Sequence, residues 1–331
     1  MENGIKIDPT GLLYEHYHYT KKKLRKKNLL QQVAPRRNAP VAAPEVPVGA
    51  TEGKEWLNAH TSPEDRVKFN WEISRPARHE LLETGCSVHD YYQDLPCLKI
   101  QLGVELLLSD FDHLYPNRQN EFFDKWETVR NRVLEELKKC KSIPEADRVL
   151  LSAEDLLQHN LDTLILYLLP ALLSNPPAKR RRDQAVPKIS FREKQDSFIL
   201  HVETPDNIQP AIERQLGILR AANLTLQPLP VIVGPLANVE SIYVYINDTV
   251  GNPTIYTVDS ILHAIDVTLK IFFALKCSYP VRSSCVWMFL QKAFYDIHRP
   301  KDKFSRETLV LIGKISSWLT RNNENEAPNN L

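Results

Sequence analysis

The chain has 331 residues, 43% of them hydrophobic and 25% charged, with a formal net charge of +1. This is ordinary globular composition, long enough for two domains with tails, and the near-neutral balance excludes a chain drawn by a global field to nucleic acid or membrane. Five irregularly spaced cysteines in so long a chain exclude a disulfide-stapled miniprotein and point to a reducing compartment.

In chain order, residues 1–70 read as a disordered arm. It holds a basic block of Lys21, Lys22, Lys23, Arg25, Lys26 and Lys27, and then a segment rich in Pro, Ala and Val from Ala34 to Gly49. Such a segment lacks the apolar periodicity needed to offset its ordering entropy. No apolar signal core stands near Met1. A helical region follows over residues 71–175. Ser74 is placed to cap a helix that stops at Gly85, and a short helix runs from Ser87 to Pro96 with Tyr91 and Tyr92. Leu102, Leu106, Leu107, Phe111 and Leu114 form a helical stripe. Asn117 is placed to cap a long amphipathic helix ending at Cys140, with Phe122, Trp126, Val129, Val133 and Leu137 inward. Ser152 and Asp155 resemble a capping box before a helix from Ala153 to Leu173. That last run is the most apolar of the chain, but Asp162 and Pro170 interrupt it, so no membrane span is expected.

Residues 176–188 read as a linker carrying Lys179, Arg180, Arg181 and Arg182 between prolines. Four adjacent cations repel one another and resist burial. Residues 189–320 read as an α+β domain. Ser197 to Val202 predicts a strand, and Thr204 to Ala222 a helix with Ile208, Ile212, Leu216 and Leu219 inward. Leu229 to Gly234 predicts a buried strand, and Ser241 to Asn247 with Thr254 to Val258 a hairpin. Tyr243 and Tyr245 share one strand face, which either meets a partner or lies under a second helical layer. Two apolar helices, Ser260 to Lys276 and Ser283 to Tyr295, and an amphipathic one, Phe304 to Leu319, complete the domain before a polar tail over 321–331. Trp287 is expected to be buried against the sheet. The fold class is α+β: an all-helical region followed by a small sheet with helices.

The segments Ser197 to Val202, Leu226 to Pro235, Tyr256 to Ser260 and Val286 to Ile297 resemble a recurrent module. It occurs in large, mostly uncharacterised animal families, some labelled sterile alpha motif domain-containing protein 3-like. Tyr91 to Pro96 and Leu114 to Pro116 are similar as well, so the resemblance covers residues 75–298. No sterile alpha motif or zinc finger is evident. The resemblance implies no activity and carries no site residue; the multicopy character of such families suggests a mobile-element origin.

His79, Cys86, His89 and Cys97 lie close in sequence, but the paired-cysteine signature of structural zinc is missing, so no metal is expected. Asp248, Asp259 and Asp266 suit turn and cap positions better than a two-metal hydrolase. Cys285 could pair with His201 or His263, yet it sits in an apolar helical run, where cysteine acts as a small hydrophobe. Val233, Gly234 and Pro235 do not make a phosphate loop. The two basic blocks remain as the informative polar signal. They point to nuclear import, with an import receptor as partner, or to nucleic-acid contact. The expectation is therefore a non-enzymatic nuclear interaction protein without cofactor, whose protein partner the sequence does not name. Its rivals are a nucleic-acid-binding derivative of a mobile element and a metal-dependent hydrolase, with the cytoplasm as the alternative location.

Overall fold

The computed structural model describes residues 48–174, 189–247, 253–300 and 302–326, with side chains to residue 317. Both basic blocks, Lys21 to Lys27 and Lys179 to Arg182, lie outside the described residues, as do the linker over 176–188 and Asp248.

The first half is helical: α1 (Val48–Ala59), α2 (Glu64–Ile73), α3 (Arg75–Glu83), α4 (Val88–Asp94), α5 (Leu102–Leu114), α6 (Glu121–Lys139), α7 (Glu145–Leu151) and α8 (Gln158–Leu168). The second half holds α9 (Phe191–Phe198), β1 (Leu200–Val202), α10 (Ile208–Ala221), β2 (Leu229–Val233), β3 (Ser241–Ile246), β4 (Thr254–Val258), α11 (Ile261–Ala274), α12 (Ser284–Ala293) and α13 (Arg306–Glu326). The fold is α+β, with a four-stranded mixed sheet in the order β1-β2-β3-β4. β1 and β2 are parallel, which requires the crossover that α10 supplies. β2, β3 and β4 form an antiparallel meander, with Val231 opposite Tyr243 and Tyr243 opposite Thr257.

Strand alternation sorts side chains between two helical layers. Leu200, Val202, Leu229, Val231, Val233 and Tyr245 bury against Ala211 and Ile212 of α10. Ile232, Val244, Ile246, Tyr256 and Val258 belong to a larger core with α11, α12 and the N-terminal helices. The tyrosine face of β3 thus has a helical layer over its β2 side, while Ile255 of β4 on the same face is 44% exposed. Trp287 is buried in the same core as Ile232 and Val244 of the sheet, and the rings of Phe198 and Phe272 each stand 5.0 Å from it.

The described residues form one compact unit, and the helical and sheet-bearing segments share its core. α5 lies along α11, where Phe111 meets Phe273 and Tyr295 at 5.7 and 5.8 Å. Gly103 is obligatory at this junction, because a Cβ there would stand 2.6 Å from the Leu98 carbonyl and 2.7 Å from the Tyr256 hydroxyl. Gln101 uses its side-chain amide as a strand would: Nε2 donates to the Thr257 carbonyl at 2.9 Å and Oε1 accepts from its N–H at 3.2 Å. This closes part of the β4 edge.

Several expectations need correction. Residues 48–70 are not irregular arm; α1 and α2 bury Ala50, Leu57, Val67 and Trp71. Two short amphipathic helices next to a Pro-rich segment have too few turns to show a stripe. The helix placed at Ala153 to Leu173 is α8, starting only at Gln158; Ser152 instead ends α7. Asn117 adopts a left-handed turn with φ 64°, and α6 begins after Asn120. Ser197 is helical, because Ser190 and Glu193 form a reciprocal capping box that starts α9 and leaves a strand of three residues. The polar tail is helical to Glu326.

Candidate functional site

The ionisable residues singled out by the sequence are spread through the fold. Cys97 lies in the core, where burial pushes its thiol up to about 11, while His79 and His89 are exposed. Among the described residues no three His, Cys, Asp or Glu side chains gather as a metal site would require. Asp259 is exposed beside His263, whose Nδ1 stands 2.9 Å away, and Ser260 rather than Asp259 caps α11. Asp266 is buried further along the same helix. Cys285 is fully buried, with its thiol pushed up to about 11. His201 Nε2 is engaged by the Gly234 carbonyl at 2.8 Å.

Two buried ionic networks hold the interior. Arg78 is 1% exposed and uses all five of its N–H groups. Nη1 and Nη2 donate to Asp110 at 2.6 and 2.9 Å, Nη1 also to the Tyr91 hydroxyl at 3.0 Å, Nη2 to the Trp71 carbonyl at 2.8 Å, and Nε to Ser74 Oγ at 3.1 Å. The guanidinium stacks on the Trp71 ring at 3.5 Å. On α11, Lys270 donates to Asp266 at 2.7 Å and to the Gln119 carbonyl at 2.7 Å, and the Tyr295 hydroxyl donates to the other Asp266 oxygen. Burial nonetheless holds the Asp266 carboxyl above its ordinary range, and it holds the Tyr295 hydroxyl above its own.

A third group differs from both. Arg192 and Asp196 stand one turn apart on α9, so they share a face. Arg192 also donates to the Tyr167 hydroxyl at 2.5 Å. Its Nε is 3.0 Å from Asp196 Oδ1, but the N–H does not point along the hydrogen-bond direction, and that oxygen accepts no aligned bond. Asp196 is 7% exposed, and burial raises its carboxyl above the ordinary value in spite of Arg192. It lines a cavity of about 420 Å³ bounded by the end of α9, the inner face of α10, the segment from Asn223 to Leu229, and the loop from Leu275 to Arg282. Left-handed residues Asn223 and Lys276, with φ 53° and 52°, turn the chain out of α10 and α11 and frame its mouth.

Gln215 enters this cavity from α10 at 5% exposure. Its carboxamide makes no hydrogen bond to any described residue. Leu229, Leu275 and Tyr279 supply apolar wall. Lys276 and Arg282, also in the lining, are paired with Glu83 and Glu193. A second hollow of about 590 Å³ opens at the starts of α8 and α11. Several of its polar groups are engaged: Asp162 accepts from Trp126 at 3.0 Å and Gln158 at 3.1 Å, and Asp259 pairs with His263.

The cavity was not foreseen, although the sequence holds one signal of it. Ile208, Ile212 and Leu219 recur at helical spacing, and Gln215 falls on the same side three residues after Ile212. A polar residue inside an inward stripe marks either a bonded core amide or a lined cavity. Comparison with known proteins yields no matching family model, curated protein or solved structure.

Proposed function

We propose that this chain is a non-enzymatic nuclear protein that acts by binding, and that its basic blocks are read by an import receptor. The observation that carries the reading is the concentration of charge. A chain of net charge +1 places Lys21, Lys22, Lys23, Arg25, Lys26 and Lys27 in one block and Lys179, Arg180, Arg181 and Arg182 in another. Guanidinium and ammonium groups packed in sequence present several charge-assisted donors to an acidic groove at once. The state of the residues that could carry catalysis supports the same reading. Cys285, His201, Asp259 and Asp266 are each buried or engaged in separate contacts.

The test replaces each block by alanine, alone and together, in fluorescently tagged full-length protein. The nuclear-to-cytoplasmic ratio should fall most in the double variant, with thermal unfolding unchanged. A double variant distributed like the parent rejects the nuclear reading. Direct nucleic-acid binding would instead appear in a gel shift that weakens steeply with salt and is lost with the same blocks.

A further inference from the structure

We propose that the cavity between α9 and α10 binds a neutral, amide-bearing small molecule with an apolar body. The proposal starts from two largely buried side chains at the cavity wall whose bonding capacity the protein does not fill. Gln215 is 5% exposed and Asp196 is 7% exposed. The Gln215 carboxamide makes no hydrogen bond to any described residue and stays open to the cavity, and Asp196 turns its sealed Oδ1 toward Arg192 while its Oδ2 accepts no hydrogen bond. Hydrogen-bonding capacity that faces a cavity and is not used within the protein is free for a ligand to take up. Both groups line one space large enough for a small ligand.

Their chemistry selects the ligand. An ionised carboxylate only accepts, whereas a carboxamide both donates and accepts. A ligand carboxamide or lactam answers both, donating its N–H to Asp196 and accepting from Gln215 through its carbonyl. Charge then separates the ligand classes. Arg192 already sets a positive charge 3.0 Å from Asp196, and Lys276 and Arg282 have their own carboxylates. A cationic ligand would bring another positive charge beside Arg192, and an anionic one would meet Asp196. A neutral donor completes the bonding without disturbing this balance. The Tyr279 ring and the leucines of the wall accept the apolar body.

Ligand-observed NMR on the full chain tests this with three probes of similar shape: benzamide, benzylammonium and benzoate. Benzamide should show saturable binding, with the two charged probes at least about fivefold weaker. Gln215→Leu should weaken benzamide about tenfold, the equivalent of 1.4 kcal/mol. Thr225→Trp alters an exposed position in the cavity lining without touching the core, and it should abolish binding. Urea unfolding of each variant establishes that it is folded. Absence of saturable benzamide binding, binding untouched by both substitutions, or tighter binding of either charged probe overturns the proposal.

Discussion

Asp110 and Asp196 are each 7% exposed and each faces an arginine, yet their surroundings differ. Asp110 receives Arg78 through two aligned bonds, and every remaining donor of that guanidinium is taken by Ser74, Tyr91 or the Trp71 carbonyl. Asp196 has Arg192 close by but out of line, and beside it the cavity holds an amide with no bond. Depth of burial therefore does not separate a charge in a closed network from one in an open network. A closed network ties helices together; an open one leaves bonding capacity for something else.

The largest expected effect lies in the closed network. Arg78→Ala removes five bonds and leaves the Asp110 carboxylate only the longer contact to Arg75 at 3.4 Å, so urea unfolding should show a loss of about 3–5 kcal/mol. Arg78→Met combined with Asp110→Leu should recover most of it, because neither charge is then left alone. A small loss in the single variant would mean that the network is open to water and the contrast with Asp196 is unfounded.

Lys270 extends the contrast to pH. The Asp266 carboxyl is held above its ordinary range, so the folded chain keeps that proton more tightly than the unfolded chain does. Its contribution is therefore most favourable below the unfolded value, ~3.9, and declines as pH rises through the folded one. Lys270→Met removes the cation that eases this. The variant should lose about 3 kcal/mol at pH 7 and distinctly less near pH 4.5, in urea titrations at both values. A deficit independent of pH would show that Asp266 does not carry the charge Lys270 balances.

Glu136 provides the opposite sign and a smaller effect. Lys314 of α13 reaches it at 2.5 Å and holds its carboxyl below the ordinary range. That contribution is present above the unfolded value, ~4.3, and is lost as pH falls through the folded one. The melting temperature of the parent should therefore drop more steeply below about pH 4 than that of Glu136→Gln. Parallel curves would remove the pair as a link between α13 and α6.

The elements were more legible than their tertiary use. The stripe of Leu102, Leu106, Leu107 and Phe111 and the alternation of Ser241 to Ile246 each express a period set by backbone geometry, and both elements stand where expected. Ser190 and Glu193 carry the capping-box pattern, but the apolar run from Phe198 to Val202 outweighs it in sequence and makes the end of α9 look like strand. The basic blocks stood out because they are contiguous in sequence. Asp196 and Gln215 did not, since they lie on different helices and meet only where β1 and β2 bring α9 and α10 together. A missing hydrogen bond is a property of the folded state, and no local pattern encodes it.

The most direct test of the closed-against-open distinction is the urea unfolding free energy of Gln215→Leu. An amide that bonds nothing within the protein adds no intramolecular hydrogen bond to stability, so leucine, of similar length, should leave the protein as stable to within about 0.5 kcal/mol. A loss of about 1.5 kcal/mol or more would mean that the Gln215 amide is bonded within the protein. The region around Asp196 would then be closed like that around Asp110.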